Sequence, residues 1–598
     1  MGTRNRFFGL ALLVGALAAT LVGHAQTLTW ARSDGGLFAD SAEAIAVDSS
    51  GDTYVLGTFG IQASFGAGEP NATVLTSAGA VASQDIFLAK YAPDGSLLWA
   101  LGIGGINPGS GGDAGTDLAG GVAVDDSGDV YITGTLFRFT TYADLGNGVV
   151  LEAPGAFVAK FDSDGNALWA TAFNTTEQGQ GHAVAVRTDG SVYVAGSAPE
   201  KPAVGGEVPT FWRVDANGTL LWEAQAIGGG AGGKGLAAGI GENGTVRVAG
   251  RFGGMAVFGD GQPTETTLTT ASDDGFVAAY DHMGTLLWAR QTESTGGAWA
   301  EGLATDSDGN SYVTGAMHGA TTFGSGEAGE TTLVSVAVGD AFVAKFSSAG
   351  SLVWARPVHA NFNTYGMAIA TDGAGSSYVT GFFGGFVTFG IGEVTETSFT
   401  GLGSSDVFVA KYETNGGFEW ARRAGGASNG ILDESGQGIA LDASANVHVA
   451  GYFTAATTFG EGEPGETSLT SAGSTDIFVA RYMEDSVPPP AGLDLDIAQF
   501  RVTNRVSVAK GSSVDLTLVV RNNSTVNGVA SATVVGVQNG LVVYSHTLAV
   551  MDPPGGGRTA YQLPAFMPLV TGDITWTAIV SDQDPDSDQV QEITRVVG

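Results

Sequence analysis

The sequence predicts an all-β protein, a closed seven-bladed β-propeller followed by an immunoglobulin-like β-sandwich. Three observations carry that reading. Three short phrases each recur seven times, they read as strands joined by tight turns, and the first copy of one phrase supplies the strand that the last repeat lacks.

Composition permits this and narrows the function classes. The 598 residues are 43% hydrophobic, enough for a large core. Gly and Pro (94 and 18) stay below the roughly 25–30% that marks low-complexity disorder. A formal charge of −36 argues against nucleic acid as a partner, because phosphates demand Lys and Arg. With no cysteine, disulfides, thiolate metal sites and cysteine nucleophiles are excluded.

Residues 1–25 read as a secretory signal. Arg4 and Arg6 precede an uncharged run from Phe7 to Val22, and Gly23 and Ala25 place small residues where a signal peptidase cuts, after Ala25. The run is short of the roughly 20 residues a spanning helix needs. No later segment is longer and apolar, so no transmembrane segment is expected after cleavage. The mature chain is expected to be exported, whether extracellular, on the cell surface or periplasmic.

The propeller is assigned to residues 26–483. One phrase, LLWAR in its fullest form, places Trp30, Trp99, Trp169, Trp222, Trp288, Trp354 and Trp420 at spacings of 69, 70, 53, 66, 66 and 66. A second, YVTG, ends at Gly57, Gly134, Gly196, Gly250, Gly315, Gly381 and Gly451. A third reads DIFLAKY at 85–91 and returns six times, last as DIFVARY at 476–482. β-Branched and aromatic residues dominate these phrases, and texts such as VDSSGD and TDSDGN supply the Asx and left-handed Gly positions of hairpin turns. One unit is therefore strand A (AIAVD), strand B (YVLGTF), strand C (DIFLAKY) and strand D (SLLWA). The mature chain opens on a lone strand D, Leu28 to Arg32, and the last repeat stops at strand C, Asp476 to Tyr482. Each orphan completes the other, which predicts ring closure. The third repeat is the odd one, with a shortened connection from Ala198 to Thr210.

These phrases resemble the bacterial SBBP-type β-propeller repeat family over about Thr27 to Tyr482. The resemblance implies the fold and no particular activity. Residues 484–490 (EDSVPPP) read as a proline-rich linker. After it, residues 491–598 alternate apolar and polar at period two between Asn/Gly turns, as a β-sandwich does. The opening LDLDIAQFRVT and the acidic close SDQDPDSDQVQEI are similar to CARDB-type adhesion modules.

Repetition separates structure from function. A Trp at one strand position in every blade reads as a wedge between blades, not as a cofactor platform. The Asp that opens strand C and the Lys that nearly closes it read as a turn acceptor and a stem over apolar surface. Five connections follow the text FGxGExxET, with Ala72 in place of the second Glu in blade 1 and Gln262 in place of the first in blade 4; their glutamates, among them Glu69, Glu327, Glu393 and Glu463, read as solvated, with calcium as the alternative. No catalytic motif is found, and no catalytic residue is assigned.

The position just before strand A is where the blades disagree: Glu43, Gly120, His182, Lys234, Glu301, Met367 and Gln437, with Trp299 and Tyr365 nearby. Since strand A lines the axis, these residues are expected to converge on one mouth of the channel and to bind a polar ligand, opposite charges pairing when it is empty. The acidic run Asp582, Asp584, Asp586, Asp588 and Glu592 is a candidate calcium site, although Ser587 stands where a calcium loop needs glycine. The expectation is an exported, non-catalytic binding or scaffold protein whose partner is an extracellular protein or glycan. The alternatives are a glycan-acting lyase or hydrolase at the channel mouth and a purely structural envelope component.

Overall fold

The structure is a computed structural model that divides into two compact units, Met1–Glu484 and Asp485–Gly598. In the first it describes residues 26–484 except 79–82, 107–115, 137–141, 174–178, 202–205, 229–232, 242–243, 428–433 and 464; in the second it describes the strands. The signal assigned to 1–25, the linker residues 485–490 and Asp582, Asp584, Asp586 and Asp588 lie outside the described residues. Glu592 lies on the strand Gln589–Val597, and only its backbone is described.

Seven antiparallel blades of four strands, three of them extended to six by a hairpin of the next blade, make the first unit a seven-bladed propeller. The innermost strands are Ser41–Val47, Leu118–Val124, Gln180–Val186, Lys234–Ile240, Ala298–Thr305, Thr364–Thr371 and Glu434–Leu441. Blade 5 shows the plan: Ala298–Thr305, Ser311–Met317, Asp340–Phe346 and Leu352–Ala360 follow one another outward. The second and third strands are nearly all buried, which their continuous apolar text dictates.

The repeated polar residues hold each blade. Tyr54, Tyr131, Tyr312 and Tyr378 donate to the aspartate of the first turn of their own blade. Lys90, Lys160, Lys345 and Lys411 lie over those same tyrosine rings, and the first three pair with acids of that turn. The Asp that opens strand C accepts N–H groups from the loop before it, as Asp340 does from Val336 and Asp476 from Ala472.

The tryptophans stitch neighbouring blades. Trp30, Trp99, Trp169, Trp222, Trp288 and Trp354 each donate Nε1–H to a carbonyl in the last turn of the next blade. A glycine of that turn lies on the indole face; a Cβ added at Gly350 would come within 2.5 Å of Trp288. Trp420 faces blade 7, where the chain enters and leaves and no such turn follows, and its buried Nε1 has no partner among the described residues.

Ring closure is as expected. The strand Gln26–Asp34 pairs antiparallel with Asp476–Glu484 and completes blade 7 in the order Gln26–Asp34, Asp476–Glu484, Val447–Phe453, Glu434–Leu441. Leu28 is buried in the blade 7 core. Beside this seam Asp40 is fully buried and accepts N–H bonds from Gly36 and Gly60. Burial nevertheless pushes its carboxyl up to about 7, with the Asp476 carboxylate adding to the rise.

The hairpins carrying the FGxGExxET text lie between the second and third strands, and there the solvated reading is corrected. Glu69, Glu327, Glu393 and Glu463 each accept the backbone N–H that starts their blade's outer strand, from Leu97, Leu352, Phe418 and Leu28. Gln262 does the same for Leu286. The outer oxygens pair with arginines of the preceding blade, as in Arg32–Glu69, Arg290–Glu327 and Arg422–Glu463. Each hairpin also pairs with the end of the preceding blade, as at Glu293↔Thr322 and His359↔Thr388. In blade 3 the strands Val192–Pro199 and Glu207–Val214 are joined directly across 200–206, so its seam with blade 2 has no such brace among the described residues.

The second unit has one sheet of three strands and one of five. Leu516 and Leu518 of the first sheet and Val534 and Ile574 of the second are buried, as period-two alternation requires of inward positions.

Candidate functional site

The invariant glycine and the variable residue of each repeat share one geometric cause. In every blade the innermost strand carries a bulge opposite that glycine, as between Ala42 and Ala44, Gly181 and Ala183, Ala300 and Gly302, and Gly436 and Gly438. The bulge brings a carbonyl of the innermost strand against the second strand. A Cβ at Gly57, Gly134, Gly196, Gly250, Gly315, Gly381 or Gly451 would lie 1.8–2.4 Å from that oxygen. Only glycine fits. The extra residue of the bulge is turned out of the ladder, toward the axis.

The bulged residues line one axial cavity of about 270 Å³, to which Glu43, Gly120, His182, Glu301, Met367 and Gln437 all contribute. Five of the expected side chains therefore meet as foreseen, though inside the strand rather than before it. Lys234 is a correction. The bulge of blade 4 falls between Gly235 and Ala237, so Leu236 faces the cavity and Lys234 stands two residues earlier. Strand text of Gly and Ala alone does not fix register. The small residue preceding every bulge (Ala42, Ala119, Gly181, Gly235, Ala300, Gly366, Gly436) was the available signal.

Two residues before each bulge lies a second ring, with Ser41, Gln180, Lys234, Trp299, Tyr365 and Ser435 among its members. Trp299 and Tyr365, from blades 5 and 6, are stacked with ring centroids 6.1 Å apart and planes 6° from parallel. Residues paired with this ring from the second strands complete the mouth: Arg251 opposite Lys234, Phe382 opposite Tyr365 and Tyr452 opposite Ser435. Sequence reasoning missed these three. Each directly follows the invariant glycine, a position as variable among blades as the bulge itself.

Burial sets the charge states. The His182 imidazole drops to about 3, chiefly through desolvation and further through Lys234 and Arg251, and its Nε2 has no partner among the described residues. Desolvation raises Glu43, partly offset by the Ser41 hydroxyl at 2.5 Å. It also raises Glu301, which Arg251 and Lys234 partly counter. The pairing of opposite charges expected of an empty mouth is not made. Lys234 Nζ instead donates to Gln180 Oε1 at 2.7 Å, and burial lowers its pKa. The cavity offers acceptors and an imidazole, and the second ring adds two cations and stacked aromatics next to it. Among the described residues no cluster of three or more His, Asp or Glu side chains could hold a metal.

Comparison with known proteins bears on the repeat. Residues 287–316 match the SBBP family, described as a beta-propeller repeat. A curated relative, an uncharacterized WD repeat-containing protein of Acanthamoeba polyphaga mimivirus, is 27% identical over 195 residues, 30% of this chain and 14% of that protein. The chain thus spans a small part of that relative's length. Among solved structures, the CARDB domain of a Pyrococcus furiosus protein, crystallised with di-metal ions, aligns with 18% of this chain and 90% of its own (16% identity, TM-score 0.14). A fructofuranosidase from Schwanniomyces occidentalis aligns with 96% of this chain and 92% of its own (10% identity, TM-score 0.22). The blades, their closure and the matched repeat lead to one statement: the chain is a seven-bladed β-propeller repeat protein.

Proposed function

We propose that the chain is an exported binding protein that takes a polar extracellular ligand at the axial mouth of its propeller. One observation carries the reading. Seven positions that are geometrically equivalent hold Glu43, Gly120, His182, Leu236, Glu301, Met367 and Gln437, all facing one cavity, on a scaffold whose strand and turn phrases repeat. Blade architecture does not require a half-buried histidine or two half-buried carboxylates there. Their desolvation costs stability, and such costs concentrate where a ligand is bound. A ligand with both donors and acceptors, as a glycan or a protein loop has, would satisfy them.

The test is a binding screen of the secreted full chain against glycan and extracellular-protein panels, beside the variant Glu43→Ala/His182→Ala/Glu301→Ala. A hit lost in the triple variant supports the axial site; a hit retained at full strength overturns it. Assaying any glycan hit for bond cleavage separates a binder, which releases no product, from a lyase or hydrolase. Export is checked by N-terminal sequencing of the mature chain, expected to begin at Gln26. A calcium role for the acidic run at 582–592 predicts that millimolar Ca²⁺ raises the melting temperature beyond NaCl of equal ionic strength; equal shifts leave only screening.

A further inference from the structure

Cations are scarce in this chain, 25 Lys and Arg against 61 acids, and most of the described ones are spent on ion pairs within and between blades. Lys234 and Arg251 are spent on none. They are direct cross-strand partners at the mouth end of blade 4. Among the described residues neither forms an ion pair, and Lys234 bonds only the Gln180 amide. Arg251 has no side-chain hydrogen bond among them; its guanidinium lies over the Trp299 ring, 5.2 Å from the centroid, and its Nε is buried without a partner. Arg213, Arg247 and Arg356, which also lack ion pairs, each bond backbone carbonyls of a neighbouring blade instead. Glu301, and for Lys234 also Glu207, acts on them through space without forming an ion pair, and two adjacent cations so placed on so acidic a protein call for an anion from outside.

The aromatic stack says what kind. Trp299 and Tyr365 are half-buried and lie parallel; Arg251 covers one face of Trp299 and His318 meets it edge-on, so Tyr365, with Phe382 at 5.0 Å, is the apolar surface beside the two cations. An apolar wall receives the C–H face of a ring, while a guanidinium stacked on an indole keeps its in-plane N–H groups for a carboxylate. Phosphate or sulfate alone uses the cations and leaves the wall idle.

We infer that this sector of the mouth, over blades 4 to 6, is a subsite for a hexuronate unit of an acidic glycan. Its carboxylate is held by Arg251 and Lys234, and its ring lies on Tyr365, beside the Trp299 indole that carries the guanidinium. The inference rests on the axial binding reading and adds the ligand's charge.

The test is calorimetric titration of the full chain with trigalacturonate, its fully methyl-esterified form and inorganic sulfate. The free acid is expected to bind at least tenfold more tightly than the ester and to weaken with added NaCl. Arg251→Gln and Lys234→Gln should each cost about tenfold for the acid and nothing for the ester, while Tyr365→Ala weakens both. Equal binding of acid and ester overturns the hexuronate inference and leaves a neutral-glycan site standing. Binding of neither sugar, or sulfate displacing the acid with Tyr365→Ala without effect, also overturns it. Acid binding that needs Arg251 but survives the Glu43/His182/Glu301 triple variant keeps the subsite and removes the axial reading.

Discussion

At the scale of single residues, steric and electrostatic costs identify which positions build the ring. A methyl at Gly315 would sit 1.8 Å from the Trp299 carbonyl, whereas one at Gly326, at φ 75°, meets nothing within 4 Å. Gly315→Ala should therefore cost about 3 kcal/mol or more of stability through overpacking against backbone. Gly326→Ala should cost about 1–2 kcal/mol, the left-handed strain alone. Denaturant titration of the two variants checks the difference, and equal costs would mean that the bulge does not press on the glycine. Asp40 supplies a pH test. Its folded pKa, about 7, lies above the ordinary carboxylate value, so the folded state holds its proton longer than the unfolded chain does. That contribution is complete below about pH 4, declines as pH rises, and is gone above about pH 7. Asp40→Asn should flatten the stability profile across this window by on the order of 1–3 kcal/mol relative to the parent. A variant profile parallel to the parent's contradicts the assignment.

Among the elements, the hairpins between second and third strands decide how firmly each seam is held. Their glutamates accept a strand N–H from far along the chain, Leu352 to Glu327 for example and Leu28 to Glu463 across the closure, and several also hold an arginine of the preceding blade. Glu327→Ala should cost about 1–3 kcal/mol, since it strands a strand-start N–H, while the exposed Glu330, bonded to Gly326 within its own loop, should cost less than about 1 kcal/mol. The seam between blades 2 and 3 lacks a brace among the described residues, and the outer strands there, Ala167–Ala172 and Leu220–Gln225, are six residues against nine for Leu352–Ala360. Hydrogen exchange should therefore be faster at 167–172 than at 352–360; equal protection would show that the hairpins do not matter. Much of this level was legible beforehand. The strand phrases, the turn aspartates and the short connection in blade 3 follow from period-two text and Asx/Gly punctuation. The bulges did not, because a strand written in Gly and Ala carries no alternation to register. For that reason Lys234 was placed in the wrong ring and Arg251 was passed over. The glutamate contacts were hidden because their partners are backbone groups and arginines remote in sequence, as far as Leu28 is from Glu463.

For the whole molecule, closure and the axial site are the two consequences of seven unequal copies arranged in a ring. Deleting Leu28 to Arg32 removes the strand that completes blade 7 and bares the edge of Asp476–Glu484. Loss of that strand, with Leu28 and Trp30, should lower the melting temperature by about 10 °C or more and promote aggregation. The central claim is that positions that agree hold the ring and positions that differ serve a ligand. Glu43, His182 and Glu301 are kept at a desolvation cost that the fold recovers only in part. The most direct measurement is calorimetric melting of the Glu43→Ala/His182→Ala/Glu301→Ala variant alongside titration of the same sample with the ligand that the parent binds. The account predicts a melting temperature equal to or above the parent's together with loss of binding; a melting temperature lower by more than about 5 °C with binding intact would contradict it.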